Sequence, residues 1–539
     1  MYNLHLEKAY FPAQSDMDAI DVPIGEGLRE VTASNIYRPA LTEIRQDGSR
    51  GRSWTYGALW DDCERLALAL SSRFTKGEKI VVWSPNSPEW VLMEYACALA
   101  GLVVVTANPS LQAKELRYVL EQSGAVGLFH VQEFRGNPMT QIATLASDGN
   151  TTLREVTDLD DHDVLFARGS NEARLPEVST SDPAQIQYTS GTTGFPKAAL
   201  LSHRGLLNNA RFYADRCGVT EQSIWINIMQ MFHTSGCGMV TLGAMQVGAH
   251  MVLVSLFDAP RIVDLLESEK ADVILGVPTM VVALLEEQEL NPRDTTALRV
   301  ISCGGANVAA DLVRRVKNAF GCGFSTLYGQ TEHCPVITQH HLNDSIDDIC
   351  KTIGQPIPQT DVSIRRLSDN SCADLNEPGE ICARGPCTML EYHDNPKATS
   401  ETIYAYGWLH TGDLGTMDDR GYLKITGRVK EMIIRGGENH FPAEIENAML
   451  THPEIQEVAV VGIADEKWGE LIACFLRPSG DATLSAAELK SHCRSELSPQ
   501  KTPNLWIEVK SFPMTGSGKI QKFALRDMFE RGELTPLTA

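Results

Sequence analysis

The feature that most constrains the fold is an alternation between segments of helical hydrophobic period and short runs rich in β-branched residues. Residues 56–72 and 87–100 have the period of helices, whereas residues 79–83 and 102–106 have the composition of strands. The same alternation returns near residue 198 and continues past residue 330. Strands joined through helices lie parallel, because a parallel connection needs a long crossover. The sequence therefore predicts an α/β fold with parallel sheets.

The pattern changes twice further along the chain. Residues 354–425 form shorter segments separated by Pro-Gly and Arg-Gly turn pairs, which predicts a β-rich subdomain. After residue 431 the order strand, helix, two strands and helix predicts a small α+β domain. A chain of 539 residues also exceeds what one hydrophobic core supports. We therefore expect an N-terminal domain of two α/β subdomains plus the β-rich one over residues 1–427, a junction at 428–430, and a C-terminal domain over 431–539.

Charge, hydropathy and cysteine usage restrict the partners and the compartment. The net charge is -22 and no dense basic run is present, which argues against a nucleic-acid partner. The longest apolar stretch, residues 95–105, is too short to cross a bilayer, so we expect no transmembrane segment and no signal peptide. The 13 cysteines include no Cys-x-x-Cys pair, which predicts a reduced, cytoplasmic protein. The sequence leaves an oligomer possible.

One loop carries the groups that a triphosphate requires. It offers hydroxyl donors, glycines that let backbone amides approach an anion closely, and a lysine that adds positive charge. It is not a Walker loop, because the Gly-x-x-x-x-Gly-Lys-Ser/Thr pattern is absent. The hydroxyls belong to Thr189, Ser190, Thr192 and Thr193, the glycines are Gly191 and Gly194, and the lysine is Lys197. We therefore predict a nucleotide triphosphate site.

With this loop the chain resembles the acyl-adenylate-forming (AMP-binding) superfamily, and its motifs most resemble those of fatty-acyl and medium-chain acyl-CoA synthetases. The resemblance runs from about Trp54 to Lys522 and follows the motif order of the superfamily. The motifs are residues 188–197, Phe232-His-Thr-Ser-Gly236, Gly304-Gly-Ala306, Tyr328-Gly-Gln-Thr-Glu332, Gly379-Glu380, Gly407-Trp-Leu-His-Thr-Gly-Asp413, Gly427-Arg-Val-Lys430, Gly436-Gly-Glu-Asn439 and Pro513-Met-Thr-Gly-Ser-Gly-Lys519.

The resemblance implies a reaction in two halves. A carboxylic acid and ATP form an acyl-adenylate and diphosphate, and the acyl group then passes to CoA with release of AMP. Catalysis in the first half requires cations that stabilise the negative charge of the transition state at phosphorus and of the leaving diphosphate. By similarity, the loop from Thr189 to Lys197 holds the outer phosphates and Thr331 touches the α-phosphate. Glu332 and Thr192 are the expected ligands of Mg²⁺ and, with His233 and Lys519, the expected catalytic residues.

The resemblance also assigns the nucleoside site. Tyr328, followed by Gly329 and Gln330, has the flat ring expected beneath adenine. On the other side, the backbone of Gly304, Gly305 and Ala306 is expected to approach the base or the acyl group. Asp413 matches the residue that accepts hydrogen bonds from both ribose hydroxyls, since a carboxylate has the paired acceptors that a vicinal diol needs. Arg428 matches an arginine that reaches nucleotide oxygens.

The C-terminal domain is implied to move between the two halves of the reaction. Lys519 matches the lysine delivered to the active site for adenylation, and Lys430 stands at the hinge of the family. After rotation, Gly436 and Gly437 are expected to line the route of the thiol. Glycine at position 437 suits this role, because a Cβ would narrow the tunnel.

The identity of the acid is left open by the sequence. No aspartate stands in residues 229–240 to pair with an amino group, and the apolar, small character of this segment indicates a hydrophobic acid, which could be fatty, alicyclic or aromatic. Ala198, Gln230 and Glu391 depart from the family pattern. Two alternatives remain at this stage, namely an acyl-AMP ligase that loads the phosphopantetheine of a carrier protein, and a catalytically inactive binding homologue.

Overall fold

A computed structural model describes the chain except for residues 170–172, 190–195, 306–307, 309, 437, 481, 483, 515–519 and 538–539, and except for the side chain of Asn439. The described residues form a mixed α/β structure with four sheets. Among these residues, no helix combines the length and the apolar character needed to cross a membrane.

The helices and strands are numbered in chain order. The strands are β1 (Tyr10–Phe11), β2 (Pro39–Ile44), β3 (Arg50–Thr55), β4 (Lys79–Trp83), β5 (Val103–Ala107), β6 (Gly127–His130), β7 (Glu155–Asp158), β8 (Pro183–Thr189), β9 (Lys197–Ser202), β10 (Ile224–Asn227), β11 (His250–Val254), β12 (Val273–Gly276), β13 (Val300–Gly304), β14 (Gly323–Gly329), β15 (Val336–Gln339), β16 (Gln355–Pro356), β17 (Asp361–Arg365), β18 (Gly379–Arg384), β19 (Glu391–Tyr392), β20 (Ile403–Tyr404), β21 (Trp408–Met417), β22 (Leu423–Arg428), β23 (Ile433–Arg435), β24 (Glu438–His440), β25 (Ile455–Asp465), β26 (Gly469–Pro478) and β27 (Leu505–Glu508).

The α-helices are α1 (Ile24–Asn35), α2 (Tyr56–Ser71), α3 (Pro88–Ala100), α4 (Ala113–Ser123), α5 (Met139–Ser147), α6 (His162–Leu165), α7 (His203–Arg216), α8 (Gly243–Met245), α9 (Ala259–Ser268), α10 (Pro278–Leu290), α11 (Ala310–Phe320), α12 (Ile346–Lys351), α13 (Pro396–Thr402), α14 (Pro442–Met449), α15 (Ala486–Glu496) and α16 (Lys522–Glu530). A π-helix spans Ser235–Leu242, and 3-10 turns span Thr331–His333, Ala405–Gly407, Val429–Glu431 and Pro499–Lys501.

Two largely parallel sheets make the body of the large domain. The N-terminal sheet has the order β19-β9-β8-β5-β4-β6-β7, and the central sheet has the order β16-β15-β14-β13-β12-β10-β11-β2-β3. Strands joined through helices pair in parallel, as β4 does with β5 and β13 with β14, whereas the β8–β9 and β2–β3 hairpins are antiparallel. The alternation in the sequence therefore predicted the class of both sheets correctly.

One hydrophobic core spans both sheets. It includes Trp83 from β4 and Trp225 from β10, and α3 and α7 are buried along most of their length within it. The chain starts α3 at a fixed point, because Ser87 caps the helix by accepting a hydrogen bond from the Trp90 amide and Pro88 occupies the first turn. Gly101 ends the helix with a positive φ of 64°, where a side chain would be strained.

Two smaller sheets complete the molecule. The closing sheet, ordered β1-β17-β18-β21-β20 with β22 paired to β21, is antiparallel throughout and corresponds to the predicted β-rich subdomain. The C-terminal sheet, ordered β24-β23-β26-β25 with β27 beside β26, contains only residues after 432 and packs on α14, α15 and α16. The fold class is therefore a large N-terminal α/β domain followed by a small C-terminal domain.

Candidate active site

The predicted phosphate loop joins the two strands of a hairpin in the N-terminal sheet. Thr189 ends β8 and stands opposite Lys197, which begins β9. The Thr189 hydroxyl donates a hydrogen bond of 3.4 Å to the Lys197 carbonyl. The structure therefore fixes both ends of the loop. Its remaining predicted residues lie outside the described part of the chain, namely Ser190, Gly191, Thr192, Thr193 and Gly194.

Lys197 and Glu332 both contact one tyrosine, Tyr392. The Lys197 ammonium lies 4.5 Å from the ring centroid of Tyr392, a cation–π contact. The Tyr392 hydroxyl donates a hydrogen bond of 2.6 Å to a carboxylate oxygen of Glu332, whose exposed fraction is 8%. Tyr392 is held in place because β19 pairs with β9, where Tyr392 stands opposite Ala199. The sequence did not assign Tyr392 to the site, although its neighbour Glu391 was noted as a departure from the family pattern.

The electrostatics of Lys197 indicate that Lys430, the predicted hinge residue, lies nearby. Burial lowers the pKa of the Lys197 ammonium below its ordinary value, and the positive charge of Lys430 lowers the pKa further, whereas the carboxylates of Glu332 and Glu401 act in the opposite direction. Lys430 therefore lies within electrostatic range of the end of the phosphate loop. Two like charges near each other repel, and the neighbouring carboxylates offset this repulsion only in part, since the pKa of Lys197 stays below its ordinary value.

A tight turn after β14 carries Thr331 and Glu332. Gly329 ends the strand where a Cβ would lie 1.9 Å from the Pro335 carbonyl oxygen, so only glycine fits there. The Gln330 amide donates a hydrogen bond of 2.8 Å to the same carbonyl. The 3-10 turn Thr331–His333 follows and buries Glu332. The role of the glycine in the predicted Tyr-Gly-Gln-Thr-Glu motif is therefore to let the chain reverse closely.

Two predicted nucleoside residues, Tyr328 and Arg428, contact a third, Asp413. The Tyr328 hydroxyl donates a hydrogen bond of 2.9 Å to one carboxylate oxygen, and the Arg428 guanidinium lies 3.1 Å from the other. Asp413 and Arg428 face each other because β21 pairs with β22 in this register. Burial and the Asp413 charge raise the pKa of Tyr328 well above its ordinary value, so its hydroxyl remains a donor. Distant parts of the sequence thus form one cluster.

Gly304 and Gly305 lie beside Tyr328 because β13 and β14 are parallel neighbours that end together. Gly304 stands opposite Leu327, and a Cβ on Gly304 would come within 2.7 Å of the Leu327 side chain. Gly305 has a positive φ of 87° and is exposed. The backbone at this point is therefore open to a ligand, as ligand sites at the carboxyl ends of parallel strands require. Ala306 lies outside the described residues.

His233 lies two residues before the π-helix Ser235–Leu242, an element that the sequence pattern did not predict. Its ring is exposed, and its Nδ1 lies 3.3 Å from the Ser235 hydroxyl and 3.4 Å from the Ser235 amide. The residues that follow, including Cys237 and Met239, are buried in the core. π-Helices occur often at functional sites, because the extra residue in the turn re-aims side chains.

The predicted junction between the domains begins where β22 ends. Arg428 closes that strand, and the 3-10 turn Val429–Glu431 contains Lys430. Glu431 forms an ion pair of 2.6 Å with Lys522, which also pairs with Glu446 on α14 at 2.8 Å. The junction is thereby tied to the start of α16 and to α14 in the small domain.

The predicted thiol route is described in part. Gly436 adopts a positive φ of 61°, and a Cβ there would come within 3.1 Å of the Trp468 ring. Its amide donates a hydrogen bond of 2.7 Å to the Trp468 carbonyl. Gly437 and Lys519, the other two residues predicted in the small domain, lie outside the described residues.

The geometry and the family comparison agree. The profile of the AMP-binding enzyme family matches residues 28–393, and that of the AMP-binding enzyme C-terminal domain matches residues 444–519. The chain belongs to the AMP-binding enzyme family.

Similar proteins identify the type of enzyme within this family. The human medium-chain acyl-CoA ligase ACSF2, a mitochondrial protein, is 34% identical over 537 residues, which cover 93% of this chain and 87% of that protein. YngI of Bacillus subtilis, assigned to the acyl-CoA synthetases, is 35% identical over 509 residues, covering 89% of this chain and 92% of YngI. A Rhodococcus jostii CoA ligase named for a methyl-dioxo-octahydroindenyl propanoyl group is 33% identical over 492 residues, with coverages of 88% and 93%.

Solved structures give the same result. ATP-bound MatB from Rhodopseudomonas palustris aligns with a TM-score of 0.84 at 25% identity, covering 95% of this chain and 99% of MatB. The o-succinylbenzoate CoA synthetase MenE from Bacillus subtilis, in complex with its acyl-adenylate, aligns with a TM-score of 0.81 at 28% identity, with coverages of 94% and 99%. The protein is an acyl-CoA synthetase, and its substrates are a carboxylic acid, ATP and CoA.

Proposed function

We propose that this acyl-CoA synthetase activates a hydrophobic carboxylic acid, with the nucleotide lying between the Asp413 cluster and the pair formed by Lys197 and Glu332. The observation that carries the proposal is that Tyr328 and Glu332 lie only four residues apart, and that Tyr328 contacts Asp413 whereas Glu332 contacts Tyr392, which lies against Lys197. One ligand with a sugar at one end and phosphates at the other fits that arrangement.

The nucleoside end follows from the acceptors of Asp413. An ionised carboxylate has two oxygens that accept hydrogen bonds, which is the paired arrangement that a vicinal diol needs, and Tyr328 and Arg428 hold the two oxygens of Asp413 in place. We propose that the two ribose hydroxyls bind to this carboxylate. The exposed backbone at Gly305 leaves room for the base or the acyl group beside Tyr328.

The phosphate end needs cations and a hard metal ion. Lys197 and Lys430 supply positive charge, and Thr331 supplies a hydroxyl next to Glu332. A buried carboxylate held by the Tyr392 hydroxyl is an oxygen ligand of the kind that Mg²⁺ prefers, so Glu332 fits the metal, with Thr192 as its expected partner. When bound, Mg²⁺ neutralises charge on the phosphates and on the leaving diphosphate. Tyr392 orients the Glu332 oxygen for this contact.

The second half of the reaction belongs to the small domain. We propose that residues 1–427 and 431–539 rotate relative to each other about the 428–430 junction, with Lys430 at the hinge. Lys519 acts before the rotation, in adenylation. The segment that contains Gly436 and Gly437 acts afterwards, as a wall of the thiol route.

The names of the relatives support a hydrophobic acid, since one acts on medium-chain acids and another on an alicyclic propanoic acid. The apolar residues after His233 agree with such a substrate, and His233 borders its carboxylate end. All 13 cysteines are unpaired. This favours a reducing compartment, and we propose the cytoplasm.

The test is an assay of diphosphate, AMP and acyl-CoA across aliphatic, alicyclic and aromatic acids, each with and without CoA. We expect acyl-CoA and AMP in equal amounts, with the highest kcat/KM for a hydrophobic acid. If the adenylate accumulates and its acyl group passes only to a carrier protein, the carrier protein replaces CoA as the acceptor. Absence of ATP turnover with every acid would instead indicate a binding homologue.

A further inference from the structure

The turn that carries Asp413 is an irregularity in the closing sheet. Glu380 of β18 stands opposite Leu414 of β21, whereas Cys382 stands opposite His410, so β21 contains two more residues than its partner in this interval. The extra length is a β-bulge, which re-aims the side chains near it. Gly412 lies in the bulge with a positive φ of 75°. The bulge therefore decides where the Asp413 carboxylate points.

The Glu380 carboxylate binds two residues of this turn through its two oxygens. One oxygen of Glu380 accepts a hydrogen bond of 2.9 Å from the Gly412 amide, and the other accepts one of 2.8 Å from Nδ1 of His410. The exposed side-chain fractions are 14% for Glu380 and 7% for His410. Hydrogen bonds to an ionised acceptor in such a setting are stronger than neutral ones.

Neighbouring side chains hold this arrangement from two directions. The Tyr404 ring stacks on the His410 ring, with centroids 3.7 Å apart and planes at 30°. The Thr411 hydroxyl donates a hydrogen bond of 2.7 Å to the Ile381 carbonyl and accepts one of 3.1 Å from the Asp413 amide. Every residue from 410 to 413 is thus fixed through its backbone or its side chain.

We propose that Glu380 is a positioning residue for nucleotide binding, which acts through Gly412 and His410 to aim Asp413 at the ribose. The proposal rests on the proposed role of Asp413. The two hydrogen bonds of Glu380 join it to His410 and Gly412, which precede Asp413 in the turn. Its effect is to fix the bulge before ATP arrives, so that ribose binding does not have to order the turn.

A metal ion is the competing use of the same side chains. Glu380, Cys382 and His410 bring three ligand atoms within 4.8 Å of one another, and Cys382 Sγ lies 3.5 Å from His410 Nδ1. However, ligand atoms on a tetrahedral zinc ion lie about 3.4 Å apart. The 2.8 Å between Glu380 and His410 is a direct hydrogen bond. The geometry therefore favours positioning over metal binding.

The experiment compares Glu380→Ala, Glu380→Gln and Asp413→Asn in the full-length enzyme. We expect Glu380→Ala to raise KM for ATP about tenfold while kcat and KM for the acid change less than about threefold, since one charge-assisted interaction is lost. Glu380→Gln should recover part of the loss, because its amide oxygen still accepts from Gly412. The effects of Glu380→Ala and Asp413→Asn on KM for ATP should be non-additive. Glu377→Gln is the control, since Glu377 pairs with Arg366 away from the bulge.

The outcomes separate the two proposals. If Asp413→Asn raises KM for ATP and Glu380→Ala does not, the positioning role of Glu380 is wrong and the ribose role of Asp413 stands. The same conclusion follows if Glu380→Ala changes KM for ATP and KM for the acid equally. An unchanged KM for ATP in Asp413→Asn overturns the ribose role and the inference with it. One equivalent of zinc in the purified enzyme would make Glu380 a metal ligand and also overturn the inference. If Glu380→Ala does not fold, His410→Phe, which keeps the ring on Tyr404 without the donor, carries the same expectation.

Discussion

At the scale of single residues, Tyr392 links two charges that the sequence assigned to separate tasks. Its ring contacts the Lys197 ammonium and its hydroxyl bonds Glu332. The ring and the hydroxyl have different functions, since the first shields a cation from solvent and the second fixes the orientation of a carboxylate. A substitution that removes only the hydroxyl can therefore separate them.

Tyr392→Phe should lower kcat/KM for ATP about tenfold and raise the Mg²⁺ concentration needed for half-maximal rate. The reason is that a hydrogen bond to a charged group is worth about 1.5–3 kcal/mol, and its loss frees the Glu332 carboxylate. Adenylation rates measured against Mg²⁺ concentration test this expectation. Tyr422→Phe is a matched control, because Tyr422 bonds Asp344 at 2.7 Å in a buried tyrosine–carboxylate pair of its own. Equal Mg²⁺ dependence in both variants would contradict the role of Tyr392.

Lys430→Gln should move the alkaline limb of the pH profile of kcat/KM for ATP to higher pH. Lys197 must be charged to hold phosphate, so the rate falls as the pH rises through its pKa. Burial and the charge of Lys430 both lower that pKa, and removal of the charge raises it. Lys424→Gln, an exposed lysine on β22, is the control. A limb that stays in place or moves to lower pH would show that Lys430 does not act on Lys197.

At the scale of elements, the close reversal after β14 positions Tyr328 on one side and Glu332 on the other. The reversal depends on the space between Gly329 and Pro335. A strand and a turn thus set the separation of the two ends of the proposed nucleotide site.

Gly329→Ala should reduce adenylation by at least about a hundredfold and destabilise the protein by about 2 kcal/mol or more. A Cβ that lies 1.9 Å from a carbonyl oxygen displaces the turn, and misplacement of catalytic groups by about 1 Å has effects of this size. Diphosphate exchange and urea unfolding measure the two effects. Gly27→Ala on α1, where the new Cβ would be 3.3 Å from a flexible Leu207 side chain, should keep most of the activity.

At the scale of the whole molecule, the proposed junction at 428–430 is a short segment that contains two predicted site residues, Arg428 and Lys430. Lys522 pairs with Glu431 beside the proposed hinge and with Glu446 on α14. The start of α16, three residues after Lys519, is therefore anchored to the junction. A rotation about Lys430 would carry this anchored helix with it.

Lys519→Ala should lower the rate of acid-dependent ATP–diphosphate exchange by about a hundredfold, as expected for loss of one organised transition-state donor. Thioester formation from synthetic acyl-adenylate and CoA should stay within about threefold of the wild-type rate, because the proposed rotation removes Lys519 before that step. Lys510→Ala, an exposed lysine in the same domain, is the control. A similar loss in both half-reactions would argue against a domain that changes position between them.

The sequence by itself determined the fold class and the chemistry. Hydrophobic period distinguishes helix from strand locally, and the need to bury both faces of a parallel sheet then leaves few architectures. The motifs around Lys197, Glu332 and Asp413 indicated an adenylating enzyme because, in their order along the chain, they resemble those of the acyl-adenylate-forming superfamily. None of these inferences required distances between remote residues.

Only the tertiary structure decided which side chains meet. The bond from Tyr328 to Asp413 joins residues 85 apart in sequence, and that from Tyr392 to Glu332 joins residues 60 apart. Strand register and a β-bulge bring the Glu380 carboxylate to the Gly412 amide. A register shift of one residue would place the Glu380 side chain on the other face of the sheet. Local patterns fix the period of a strand but not its partner, because pairing is set by how the whole chain packs.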